Sequence, residues 1–127
     1  MTEHRTPLAR VRGLGSARSG TEHFWHQRLT AVANVPLTIA FVLIVISLLG
    51  RNHAAAQQIL GTPLVAIVIL LFIGSVAYHM RIGMQVIIED YVHDEIAKLV
   101  LIMLNTFFAV AVALASAYAI FKLSFGV

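Results

Sequence analysis

The sequence predicts an all-α integral membrane protein with three transmembrane helices in an up-down-up bundle. Three observations point there. Charged residues make up 12% of the 127 positions and hydrophobic residues 59%, whereas an ordinary soluble domain is about 25% charged. The apolar residues fall in three blocks rather than along one face of many short elements. Each block reaches the roughly 20 residues that a helix needs to cross a hydrocarbon core.

Positions 1–28 form a basic segment ahead of an anchor domain at 29–127. Arg5, Arg10, Arg12, Arg18 and Arg28 all precede the first apolar run. The Arg, Ser and Gly content with one early acid, Glu3, also fits a mitochondrial transit peptide. A basic cytoplasmic tail is the reading adopted here, because the glycines break up an amphipathic helix. A secretory signal is excluded, since the apolar run that follows is long enough to span.

The first span, near 29–49, carries no charge. Pro36 removes one of its hydrogen bonds and is expected to kink it near Asn34. The connection at 50–62 holds only Arg51. The second span, near 63–88, opens on Thr62 as a cap, with Pro63 at the first helical position; only His79 and Arg81 interrupt it. The third span, near 96–122, starts after Asp94, a cap that Lys98 is placed to pair with. Ala109, Ala113 and Ala117 make a small-residue face, which packs either inside the bundle or against another subunit.

Arginine and lysine gather on the cytoplasmic side of membrane proteins. The amino terminus and the 89–95 loop are therefore expected inside, and the 50–62 loop and the carboxyl terminus outside. Trp25 and Tyr91 suit the aromatic belts at the membrane surface. The sequence pI of about 9.8 does not point to nucleic acid, because the basic residues sit beside spans. Cysteine is absent, which excludes disulfides, thiol catalysis and thiolate metal sites within the chain. So short a chain has no room for a soluble catalytic domain.

The second span holds the residues that invite chemistry. At 100° per residue, Ser75, His79, Gly83, Val86 and Asp90 fall within about 40° of one direction. His79 lies deep in the bilayer, and Asp90 sits about 16 Å along the helix, at the inner edge. A histidine at that depth is a hydrogen-bonding group toward a neighbouring helix, a proton relay or a haem ligand. Gly83, one turn on, clears space for a flat macrocycle or for close helix packing. Of six histidines, only His79 lies within a span, so a haem with two axial histidines needs the second from another polypeptide. Arg81 is read as snorkelling its guanidinium to the inner interface, the alternative being an ion pair with a propionate or a partner's acid. Tyr91 offers a phenolic donor and Asp90 a carboxylate at the membrane edge, either as belt residue and helix-ending acid or as groups able to engage a quinone carbonyl.

His-x-x-x-Gly followed after six residues by Asp-Tyr, at the inner end of a middle span, resembles the D-type hydrophobic membrane anchor of succinate dehydrogenase. His79, Gly83, Asp90 and Tyr91 fill that pattern. The lead-in SGTEHFWHQRLTAVANVPL, with Arg28 followed by Thr30 and Ala31, is similar to the same family, and VRGLGSARSG to its alphaproteobacterial members. The resemblance implies a haem b shared with a second, C-type anchor subunit, with His79 as an axial ligand to the haem iron, Gly83 beside it and Arg28 near the propionates or the quinone site. It implies a ubiquinone site formed with the C-type anchor and the iron–sulfur subunit, where Tyr91 donates to the quinone and Asp90 supports it. Succinate oxidation would belong to a flavoprotein subunit, and the setting would be a bacterial inner membrane with its lipid. His23 and His26 do not clearly match the family's propionate-side histidine and take no role. Competing readings are a homodimeric b-type cytochrome ligated by two copies of His79, and a small transporter or scaffold using His79 and Arg81 as a relay.

Overall fold

The computed structural model describes residues 6–13 and 19–126. Five helices follow one another: α1 (Pro7–Val11), α2 (Ser19–Leu48), α3 (His53–Gly61), α4 (Pro63–Tyr91) and α5 (Glu95–Phe125), with no strand among the described residues. α2, α4 and α5 contain 30, 29 and 31 residues. At 1.5 Å per residue each is about 45 Å long, enough to cross the hydrocarbon core and reach both headgroup layers. The chain is an all-α, multi-pass membrane protein.

In the amino-terminal segment, Arg5 and Arg18 lie outside the described residues. Thr6 Oγ1 accepts the Ala9 N–H at 3.2 Å to start α1. The helix ends at Val11, and two residues on Gly13 takes a left-handed φ of +65°, open to glycine without steric cost. α2 begins at Ser19, ten positions before the uncharged run, so Glu22, His23 and Arg28 already ride on the first membrane helix. It continues as helix through Pro36, as membrane helices can when neighbouring groups satisfy the freed carbonyl.

The 50–62 connection is not a plain loop. Asn52 Oδ1 accepts the Ala55 N–H at 2.9 Å, and the run of Ala, Gln and Leu behind that cap favours helix, giving α3. Thr62 stands at the cap position of α4 but makes no side-chain cap. Its hydroxyl donates back to the Gln58 carbonyl at 2.9 Å, and Pro63 has no N–H to satisfy. Asp94 does cap α5, accepting the Ala97 N–H at 2.7 Å. The expected Asp94–Lys98 pair is replaced by Lys98 Nζ to Glu95 Oε1 at 3.8 Å, since the Asp94 carboxylate is turned into its own helix end.

α4 is the central helix. It packs against both α2 and α5, which make no extensive contact with each other, while α3 leans on α4 and α5. The enclosed apolar side chains are few, and most sit on α4: Ala66, Ile69, Ala77, Ile82 and Ile88, joined by Ala109 and Ile120 of α5. Ala109 and Ala113 line one small cavity with Gly74, Ala77 and Arg81, so that end of the small-residue face is used within the bundle. Phe41 and Phe72 stack 4.5 Å apart between α2 and α4. At the α3 end of the bundle, a Cβ on Gly61 would stand 3.0 Å from the Leu123 carbonyl oxygen; the missing side chain lets α3 meet the α5 backbone.

Candidate functional site

The antiparallel crossing of α2 and α4 brings polar residues together in register. On α2, Gln27, Thr30 and Asn34 recur at helical spacing, and on α4 Gly83, His79 and Ser75 recur in the opposite direction. Thr30 Oγ1 lies 2.9 Å from His79 Nδ1. One turn inward, a Cβ built on Gly83 would meet only Gln27 Nε2, at 3.4 Å. Gln27 Oε1, Asn34 Oδ1 and Ser75 Oγ are buried without a hydrogen-bond partner among the described residues. A polar seam therefore runs through an otherwise apolar interface, with the imidazole at its middle.

His79 is half-buried. Its Nδ1 is engaged by Thr30, and its Nε2 makes no hydrogen bond among the described residues. No group of three His, Asp or Glu side chains able to cage an ion occurs among the described residues.

Toward the amino-terminal end of α2 and the carboxyl-terminal end of α4 lies a groove of about 530 Å³, whose walls include His23, Gln27 and Arg28 of α2 and Ile82, Val86 and Glu89 of α4. The Arg28 guanidinium carbon sits 4.1 Å from the centre of the Phe24 ring, a cation–π contact that steadies the charge on the groove wall. Arg28 is thus brought beside the stripe of α4 that carries Gly83 and Val86. Asp90 and Tyr91, at the end of α4, are exposed and make no side-chain hydrogen bond among the described residues; Tyr91 is 79% exposed. The chain does not bring them against His79 or Arg28.

The two histidines without an assigned role separate. His23 lines the groove, whereas His26 Nδ1 lies 2.9 Å from the Tyr78 hydroxyl, with the rings 5.8 Å apart. Arg81 bonds across to α5. Its Nε donates to Thr106 Oγ1 at 3.3 Å, and its carbonyl accepts from Asn105 Nδ2 at 2.9 Å. A partner on α5 holds its Nε, so the side chain takes part in the α4–α5 contact. Sequence reasoning passed over Gln27, gave Thr30 no function, and missed Tyr78. The signal for the first two was present: Gln27, Thr30 and Asn34 form a polar stripe matching that of Ser75, His79 and Gly83.

Three membrane-length helices with a histidine-centred polar seam between the first two define a multi-pass membrane subunit of the anchor type. Residues 2–114 match the model of the succinate dehydrogenase/fumarate reductase transmembrane subunits, and the chain belongs to that family. It is 31% identical over 121 residues to the succinate dehydrogenase hydrophobic membrane anchor subunit of Paracoccus denitrificans, covering 95% of this chain and 93% of that one. The corresponding subunit of Rickettsia bellii is 29% identical over 121 residues, covering 94% and 95%. The succinate dehydrogenase membrane anchor subunit of Reclinomonas americana is 34% identical over 98 residues, covering 75% and 82%. No solved structure gave a significant match.

Proposed function

We propose that the chain is the D-type membrane anchor of a bacterial succinate:quinone oxidoreductase. In this reading it supplies one axial ligand to a haem b, through His79, and part of the site where ubiquinone is reduced. Its partners are a C-type anchor subunit, an iron–sulfur subunit and a flavoprotein subunit. The assembly sits in the inner membrane with residues 1–28 on the cytoplasmic side and 29–127 as the anchor domain.

The observation that carries the proposal is the state of the His79 ring. Nδ1 is tied to Thr30 at 2.9 Å, which leaves the other nitrogen as the one available for a ligand bond, in the manner of histidines held from behind by a second hydrogen bond. The surroundings fit a flat tetrapyrrole. Gly83 presents no side chain one turn inward, and only the far end of Gln27 borders the space a Cβ would take. The Gln27 oxygen is buried and unpartnered, and Arg28 places a permanent cation on the neighbouring groove wall, suited to a propionate. Iron held this way supplies one-electron redox capacity inside the membrane.

Among the described residues His26 is engaged with Tyr78 and His23 lines the groove, so in this reading the second axial ligand comes from the C-type anchor. At the inner end, the exposed Tyr91 phenol is free to donate to a quinone carbonyl that arrives between subunits. Asp90, beside it in sequence, orients that donor or its water. Quinone reduction takes two electrons and two protons, so a donor at the aqueous edge is better placed than one at mid-membrane.

Expression of the chain alone and together with a C-type anchor tests the reading. Six-coordinate haem is expected only in the second case. A six-coordinate spectrum from the chain alone would favour a homodimeric b-type cytochrome.

A further inference from the structure

Building on the haem-ligand reading of His79, we propose that Thr30 is the positioning residue for that ligand. Its hydroxyl accepts the Nδ1 proton and so holds the imidazole in the tautomer whose Nε2 lone pair is free for iron.

The assignment follows from counting protons. Thr30 Oγ1 has three neighbours within hydrogen-bond distance: the His26 carbonyl at 2.8 Å, the Gln27 carbonyl at 3.1 Å and His79 Nδ1 at 2.9 Å. The two carbonyls only accept, and the hydroxyl has a single proton. Donation to a carbonyl one turn back is the usual habit of threonine in a helix, and it leaves the hydroxyl oxygen to accept. Nδ1 must then carry the hydrogen. That arrangement makes two hydrogen bonds. The opposite tautomer, with the hydroxyl donating to Nδ1, makes one and leaves an Nε2–H with no acceptor among the described residues. The proton count therefore selects the tautomer that can bind iron.

Two effects follow from the bond. It links the ring to the backbone of α2, fixing the plane of the imidazole from a different helix. It also draws the Nδ1 proton toward an oxygen, which makes Nε2 a stronger donor to iron. A stronger donor stabilises ferric over ferrous haem and lowers the midpoint potential.

The test uses the assembled four-subunit complex, with Thr30→Val, Thr30→Ala and Thr30→Ser compared by optical redox titration of the haem. Valine and alanine remove the hydroxyl and should raise the midpoint potential and weaken haem retention about 10- to 100-fold, the range for losing such a supporting partner. Serine keeps the hydroxyl and should titrate like wild type. Unchanged potentials in valine and alanine would overturn the proposal, as would a serine shift as large as that of valine, which would make packing the cause. Should the valine variant not assemble, alanine and serine still decide. His79→Ala separates the two levels. An unaltered haem spectrum there means that the ligand reading itself has failed, and the role of Thr30 falls with it. Loss of that spectrum alongside silent Thr30 variants overturns only the role of Thr30.

Discussion

The side-chain amide of Asn105 donates to the backbone carbonyl of Arg81 at 2.9 Å, and Arg81 answers one residue along by donating from Nε to Thr106 at 3.3 Å. This two-way clasp joins α5 to the inner half of α4, just beyond His79. It gives α5 a polar contact in a membrane interface otherwise built from alanines and aliphatic side chains, where small residues alone set the approach.

Replacing Asn105 by Leu keeps the branched side-chain skeleton and removes the donor. Hydrogen bonds between membrane helices average about 0.6 kcal/mol and reach about 1.7, so the loss should be about 1 kcal/mol. A fall of a few degrees in the thermal midpoint of the detergent-extracted complex, with an unchanged absorption spectrum, is the expected outcome. An unchanged midpoint would mean that the clasp is dispensable.

Asp94→Ala removes the carboxylate that accepts the Ala97 N–H at 2.7 Å. Loss of a cap of this kind costs about 1 kcal/mol, and Asp94→Asn should recover most of it. Lys98→Ala should change the midpoint by much less, because its 3.8 Å pair with exposed Glu95 belongs to the class of surface ion pairs of small value. Thermal melts of the three variants side by side check the ranking.

Gly83 separates space from fold. Gly83→Ala puts a methyl 3.4 Å from the movable end of Gln27 and should be tolerated, with near-normal assembly. Gly83→Leu extends into the volume assigned to the haem and should lower the haem bound per complex severalfold. Haem extraction and quantification against protein measures it; full occupancy in the leucine variant would remove Gly83 from the site.

Tyr91→Phe should cut succinate–quinone reductase activity about a hundredfold, the lower end for removing a positioned proton donor, while succinate oxidation with an artificial dye is preserved. The contrast matters because the Tyr91 hydroxyl, on a side chain 79% exposed, makes no hydrogen bond among the described residues that folding could lose. Equal loss of both activities would count against a quinone contact.

The three spans were legible because their composition leaves no other way to satisfy a helix-length apolar run, and the ends were legible wherever a cap had a backbone partner, as at Asp94. The start of the first long helix was not. Charge marks where a helix leaves hydrocarbon, not where it stops, so α2 continues inward through Arg28, His23 and Glu22. α3 escaped notice because a short connection with one arginine reads as a loop unless Asn52 and the alanines behind it are weighed as cap and helix former. Within the site, His79 and Gly83 stood out by type and position, and Arg28 only through the family resemblance. Thr30 did not, since a lone hydroxyl in an apolar run is ordinary; it gains meaning only when α2 and α4 are set antiparallel and their polar stripes align. The partners of Arg81 were hidden for a related reason: Asn105 and Thr106 are uncharged and lie on another span.

The most direct measurement is the reduced-minus-oxidised absorption spectrum of the assembled complex carrying His79→Ala. The wild-type complex is expected to show a low-spin, six-coordinate b-type haem. The variant should lose that signal or retain a five-coordinate haem that binds carbon monoxide. A low-spin spectrum unchanged by the substitution would contradict the assignment of His79 as an axial ligand.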